Sequence, residues 1–297
     1  MDKKVSIVMT AYNRKKQVLF TLETIKNSAY KNIEIIIVDD ASDDAERLDN
    51  DAYRTPYENE LYQTLSVLVI RINKEDKTWV NPCMSYNIGL RKASGDIIII
   101  QNAEVCHIGD CISYVASHLK RDDWLTLNCY GLSGFEQNNF VSELYHNNQS
   151  VFDYISKIHY CKIGGSNLFI NNPEGWLNHS QFFFTAYHYF GAIYRSDLIE
   201  KMGGGFCEEY QYGTCYDDND FIKSLIHCRF RFTSTIFKSS NPFVIHQYHD
   251  KCNTFGKKFN EYHSINKAVF HKRMMEIGAS IHIDIQQEQY MPLPVLL

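Results

Sequence analysis

At 297 residues, 44% hydrophobic and 22% charged, the chain is large enough to bury a substantial core, as one domain or two small ones. Its formal net charge of -5, with acids and bases interspersed, excludes the basic footprint of a nucleic-acid or anionic-membrane binder. The apolar run after the basic start is too short for a secretory leader, and no stretch reaches the roughly 18 apolar residues of a membrane span. The nine cysteines are scattered without a C-x-x-C pair, so a soluble, cytoplasmic protein with free thiols is expected, with room left for one disulfide.

"VSIVM" (Val5–Met9) reads as a buried strand, and Lys15–Asn27, with Val18, Leu19, Leu22 and Ile25 at helical spacing, as a helix. "IEIIIVDD" is a second strand, after which Ser42 is a candidate helix cap with Asp43 and Asp44 at the positive end. "LSVLVIR" is a third strand, and Asn81-Pro82 has the signature of a helix start running to about Ala93. "GDIIIIQN" is the fourth strand; "HIGDCISYVASHL" begins a helix near Gly109, before the strand-like "WLTLNC". From Gly131 to Ser180 there is no clean period. Beyond it come a strand in "HYFGAIYR", a short helix in "SDLIEKM", a glycine turn and an acid-started helix in "YDDNDFIKSLIHC". Strands in "RFTSTIF" and "NPFVIH" and a helix over Lys257–Ile277 complete the pattern.

Strands of unbroken Ile and Val suit a parallel sheet buried on both faces. Their alternation with helices predicts an α/β fold built as a doubly wound, mainly parallel sheet. No repeat or linker interrupts the chain, so a single domain over 1–297 is expected: halves at 1–105 and 106–250, then a C-terminal helix and tail at 251–297. Ligands of such sheets bind outside the carboxyl ends of the strands. That rule collects "TAYN" (10–13), "DDAS" (39–42) and "QNAE" (101–104) on one edge. The edge has neither G-x-G-x-x-G nor a P-loop. It has acids instead: Asp39, Asp40 and Glu104. Acids there can bind base and ribose hydroxyls, or hold a hard divalent cation that bridges phosphates. For Glu104 the plain alternative is a surface residue capping the helix near Gly109.

The combination "VSIVMTAYNR…IEIIIVDDAS…GDIIIIQNAE" resembles the GT-A-fold glycosyltransferases of family 2, which use nucleotide-activated sugars, and the resemblance runs from Val5 to about His249. It implies a GT-A-like fold in which 1–105 binds the nucleotide sugar and 106–250 is the acceptor-binding and catalytic half. It implies that Thr10, Ala11, Tyr12 and Asn13, with Asp39 and above all Asp40, cradle the base and ribose. The family's D-x-D triplet touches ribose with its first residue and metal with its last; here it reads Asn102-Ala103-Glu104, so Asn102 would meet the ribose and Glu104 the metal. The donor implied is a UDP-sugar and the cofactor a divalent metal, Mn2+ in preference to Mg2+. The acceptor would be a hydroxyl of a glycan, protein or small molecule.

Inverting transfer needs a carboxylate to take the acceptor proton. The family's E-D-x-D stretch is matched by Asp217-Asp218-Asn219-Asp220. Asp218 is then the base, with Asp217 and Asp220 binding acceptor hydroxyls; the competing reading is a solvated helix start whose acids complement the dipole. In "VIHQYHDK", His246 matches the late metal-binding histidine of the family. His249, three residues on, would point to the opposite strand face, so the two are not expected to share one ion. Trp176, His179 and His188, among aromatics suited to the C–H faces of sugars, are candidates for an acceptor wall. "KTWVNP" could bring Lys77 or Trp79 over the nucleotide. Two rival readings remain: a nucleotidyltransferase on a similar sheet, which would want glycines after the first strand, and a non-catalytic sugar-nucleotide or glycan binder, for which Asn102 speaks.

Overall fold

The computed structural model describes residues 2–49, 54–163, 167–170, 178–180, 184–250, 256–278 and 290–292. The first half runs β1 (Val5–Ala11), α1 (Lys15–Lys26), β2 (Ile33–Asp40), α2 (Pro56–Thr64), β3 (Val67–Ile72), α3 (Cys83–Lys92) and β4 (Ile97–Gln101). It continues through β5 (Val105–Ile108), α4 (Cys111–His118), β6 (Asp123–Thr126), β7 (Cys129–Gly131), α5 (Phe135–His146), α6 (Val151–His159), β8 (Tyr160–Ile163) and β9 (Asn167–Ile170). The rest is β10 (Phe190–Tyr194), α7 (Arg195–Met202), α8 (Asp217–His227), β11 (Arg231–Ser234), β12 (Phe243–His246), α9 (Phe259–Glu276) and β13 (Tyr290–Pro292).

The main sheet has the order β13-β11-β6-β10-β4-β1-β2-β3. Strands β4, β1, β2 and β3 are mutually parallel, so their carboxyl ends share one edge as expected. Their unbroken apolar sequences follow from burial on two sides. Ile97 and Ile99 face a core with Ile7, Ile35, Leu22 of α1 and Ile112 of α4. Ile98 and Ile100 face another with Val8, Ile36, Leu90 of α3 and Phe221 of α8. No helix among the described residues is long and apolar enough to cross a membrane. The cysteines at 83, 106, 111, 129, 207, 215 and 228 are free thiols.

Strand β10 is the exception to the parallel rule and runs antiparallel to both β4 and β6. Its reversal pairs Phe190 with Gln101, which delivers the preceding residues 187–189 to the carboxyl edge. Gly191 permits this packing: a Cβ there would lie 2.0 Å from Cζ2 of the buried Trp124 ring.

Two local expectations change. Ser42 caps no helix, because residues 44–46 form only a short 3-10 turn; its hydroxyl instead accepts the Asn13 N–H at 2.9 Å. The stretch without a clean period holds α5 and α6, whose buried faces are short: Val141 and Leu144, then Val151 and Ile155.

Candidate functional site

Strand β4 stops at Gln101 because its side chain turns the chain. Its amide donates to Val105 O at 3.0 Å and its carbonyl lies 2.9 Å from His107 Nε2, both groups beyond the bend. The chain then enters β5, which pairs antiparallel with β12 so that Val105 faces His246. Glu104 is thereby set beside the end of β12. Its Oε1 lies 3.3 Å from Nε2 of His246 and 3.3 Å from Nε2 of His249. Asp110, not Glu104, caps α4, accepting the Ser113 N–H at 3.1 Å.

The expected opposition of the two histidines is not what forms. β12 ends at His246, and the next residues leave strand geometry, so the period of two no longer applies. Residues 247 and 248 are fixed by side chains from elsewhere. Gln247 Nε2 donates to Gln17 O, Thr21 Oγ1 and Glu104 O, and its N–H donates to Glu104 O at 3.0 Å. Asn138 of α5 takes the Tyr248 N–H and donates back to the Tyr248 carbonyl, both at 2.7 Å. This bend brings His249 to the same carboxylate as His246.

One ligand atom from each of Glu104, His246 and His249 lies within 4.8 Å of the others. A carboxylate oxygen and two imidazole nitrogens suit Mn2+ and similar borderline cations better than Mg2+, which prefers oxygen and water. Burial alone would raise the Glu104 pKa, but contacts with His246 and His249 hold its carboxyl well below the usual range. The residues therefore fit a divalent cation.

At the other end of the edge, Asp39 and Asp40 meet different partners. Asp39 is fully buried, accepts the Ser42 and Leu48 N–H groups, and pairs with Arg71 at 3.0 Å. It pins the loop. Asn13 is spent similarly: its amide exchanges two hydrogen bonds with Asp43, at 2.8 and 2.9 Å. Ala11 is buried in β1. Thr10, Tyr12 and Asn102 line the cleft. Asp40 accepts from Lys77 Nζ at 2.9 Å and Trp79 Nε1 at 3.0 Å, and the Lys77 ammonium stands 5.5 Å from the Tyr12 ring centre. The "KTWVNP" segment thus closes over the second strand's end.

The acids at the start of α8 divide by environment. Cys215 and Tyr216 both have positive φ, 63° and 68°, a strained approach that swings the first turn into the cleft. Asp217 is buried and accepts from Asn81 Nδ2 at 2.9 Å; burial and the neighbouring Asp218 charge raise its pKa. Asp218 opens to the cleft, with 42% of its side chain exposed, and lies 3.3 Å from Nδ1 of His188. The protein surrounding the cleft still desolvates it enough to push its pKa up to about 6. Burial drives the His188 pKa down, leaving the ring a neutral partner.

Asp220 is elsewhere. It faces Arg273 of α9, with contacts of 2.7 and 3.2 Å, and ties the C-terminal helix to α8 rather than meeting an acceptor. His179 is also removed from the expected acceptor wall, being fully buried between the rings of Tyr130 and Phe237. Trp176 lies outside the described residues. His188 lines the cleft as expected, beside Tyr187 and Tyr189.

A cleft of about 320 Å³ is lined by Tyr12 and Glu104 together with Asp217, Asp218 and His188. Arg14, Tyr86, Asn81 and Thr214 complete its wall. The sequence offered no signal for Arg14, Tyr86 or Asn138, since each acts through a partner distant in the chain. Asn81 was readable as a helix-start residue, and its side-chain Oδ1 does accept the Cys83 N–H at 2.9 Å. Its bond to Asp217 was not readable.

The sequence profile of the family described as Glycosyl transferase family 2 matches residues 6–198. The chain is 30% identical over 103 residues to the amylovoran biosynthesis glycosyltransferase AmsB of Erwinia amylovora. That match covers 35% of this chain and 31% of the relative, so it spans about a third of each. Among solved structures, S. aureus TarS 1-349 in complex with UDP-GlcNAc superposes with a TM-score of 0.53 at 15% identity, over 92% of this chain and 65% of that one. The mannosyltransferase PcManGT from Pyrobaculum calidifontis in complex with GDP-Man and Mn2+ gives 0.51 at 14%, over 94% and 70%. Both likenesses establish a GT-A fold.

Proposed function

The chain belongs to glycosyl transferase family 2, and on that premise we propose that it moves a sugar from a UDP-sugar to an acceptor hydroxyl, with inversion and with Asp218 as general base. The observation that carries this reading is that two unlike carboxylate sites line one cleft. Glu104 is held ionised between two histidines, whereas Asp218 is open, raised to about 6 and within reach of His188.

Asp218, mostly ionised near neutral pH, takes the proton of the acceptor hydroxyl as its oxygen attacks the anomeric carbon. The new carbon–oxygen bond forms on the face opposite the breaking bond to the diphosphate, which inverts the centre. His188, neutral and wedged edge-on against Tyr86 and Phe206, orients the Asp218 carboxylate. Asp217, fixed by Asn81, is suited to an acceptor hydroxyl. A divalent cation at Glu104, His246 and His249 would supply positive charge to the departing diphosphate.

The choice of uridine as the base follows the family resemblance alone. Asp40, which accepts from Lys77 Nζ and Trp79 Nε1, is fixed at the end of β2. TarS binds UDP-GlcNAc and PcManGT binds GDP-Man and Mn2+, so the fold accommodates either nucleotide. The test is release of nucleoside diphosphate from a donor panel, with and without Mn2+. Binding of UDP-sugar without any release, across a range of hydroxyl acceptors, would favour the non-catalytic binder instead.

A further inference from the structure

We infer that Arg14 grips the donor diphosphate and, through its charge, couples diphosphate binding to metal binding; the inference rests on the proposed donor site. Arg14 sits at the N-terminal boundary of α1, immediately after the Tyr12–Asn13 turn. Its Nη1 donates to Asn13 O at 3.0 Å, and its Nη2 lies 2.8 Å from His249 Nδ1 and donates to Asp250 O at 3.4 Å. None of these partners is a carboxylate. Among the described residues no carboxylate comes within ion-pair distance of the guanidinium, although Glu104 is one histidine away. Among the described residues Arg14 is also the one Lys or Arg side chain that lines the cleft, whose other charged walls there are Glu104, Asp217 and Asp218.

A guanidinium held in a partly buried cleft without a carboxylate partner keeps donors and charge for an anion, and its planar fork matches phosphate oxygens. It also touches His249, so it stands beside the candidate metal site. Two cations in one cleft repel each other until an anion lies between them. Arg14 therefore opposes metal binding alone and favours metal and diphosphate together. A residue that merely held His249 in place would act differently: losing it would weaken metal and nucleotide in parallel.

The experiment is calorimetric titration of the full chain and its Arg14→Met and Arg14→Lys variants with Mn2+ alone, then with UDP and with uridine in saturating Mn2+. Thermal melts check that the variants fold. For Arg14→Met the expected result is Mn2+ bound a few-fold more tightly, on the order of a single screened charge contact. UDP should bind about 10- to 100-fold more weakly, the loss of a charge-assisted hydrogen bond, and uridine should be unchanged. Arg14→Lys should restore part of the UDP affinity. Unchanged UDP affinity in Arg14→Met, equal losses for UDP and uridine, or parallel losses of Mn2+ and UDP would each overturn the inference. A parent protein that binds UDP but no Mn2+ would refute the metal reading and the coupling, and one that binds neither would refute the donor site and Arg14's role with it.

Discussion

Replacing Asp218 with Asn separates the chemical step from donor binding. The carboxamide keeps the shape of the carboxylate and can still face His188 Nδ1, 3.3 Å away in the parent, but cannot accept a proton near neutral pH. General-base catalysis is worth about 10²- to 10⁴-fold, so transfer should fall by that order while UDP affinity stays within about twofold. The pH profile supplies an independent magnitude. Desolvation raises Asp218 to about 6, and the base must be ionised to work, so activity is retained above that value and lost as pH falls through it. Between about pH 7 and about pH 5 the ionised fraction drops roughly tenfold, and so should the acceptor-saturated rate. The assay is nucleoside diphosphate release at saturating donor, with binding followed by calorimetry. An Asp218→Asn variant that turns over at the parent rate would remove Asp218 as the base. A parent profile flat between those pH values would contradict its raised pKa.

Glu104→Gln keeps the volume but removes the charge between His246 and His249, and should abolish Mn2+ binding while the melting temperature changes little; unchanged Mn2+ affinity by calorimetry would dissociate this cluster from metal. His246→Ala and His249→Ala should each weaken Mn2+, because both reach the same carboxylate oxygen, and an effect confined to one would show that the other only packs there. Arg273→Met strands the buried Asp220 carboxylate and should cost about 3–5 kcal/mol in chemical denaturation, with a smaller deficit at acid pH where Asp220 can protonate. A loss below about 0.5 kcal/mol would mean that the pair does not clamp α9. Gly191→Ala forces a methyl into the Trp124 ring and should destabilise by about 1–3 kcal/mol or more, so a melting temperature equal to the parent's would refute the close packing of β10 against Trp124.

The strand cores and the polar ends were legible because each is a local pattern. Four isoleucines in Ile97–Ile100 can be buried on both faces only inside a sheet covered by helices, and parallel order then places Tyr12, Asp40 and Asn102 on one edge. The carboxylate at 104 could be singled out because charge at the end of an apolar strand needs a purpose, and the acids at 217 and 218 through their resemblance to the family's E-D-x-D stretch. Their partners were not legible. Asp39 and Asp40 are chemically identical neighbours, and only the alternation of β2 puts Arg71 beside one and Lys77 and Trp79 beside the other.

Likewise, Asp217, Asp218 and Asp220 form one motif in sequence, yet a helix turns by about 100° per residue and sends the third acid to Arg273 on α9, some fifty positions away. His249 joined His246 because Gln17, Asn138 and Gln247 bend the chain after β12, against the strand period that the sequence implies. The reversal of β10, which carries His188 to Asp218, turns on a glycine fitting under a tryptophan 67 positions earlier. What the sequence determined by itself was whatever hydrophobic periodicity and strand-end polarity encode within a few residues. What only the tertiary structure decided was the pairing of polar side chains across the chain, because a hydrogen bond or ion pair depends on ångström-scale approach, and no periodicity in the sequence records it.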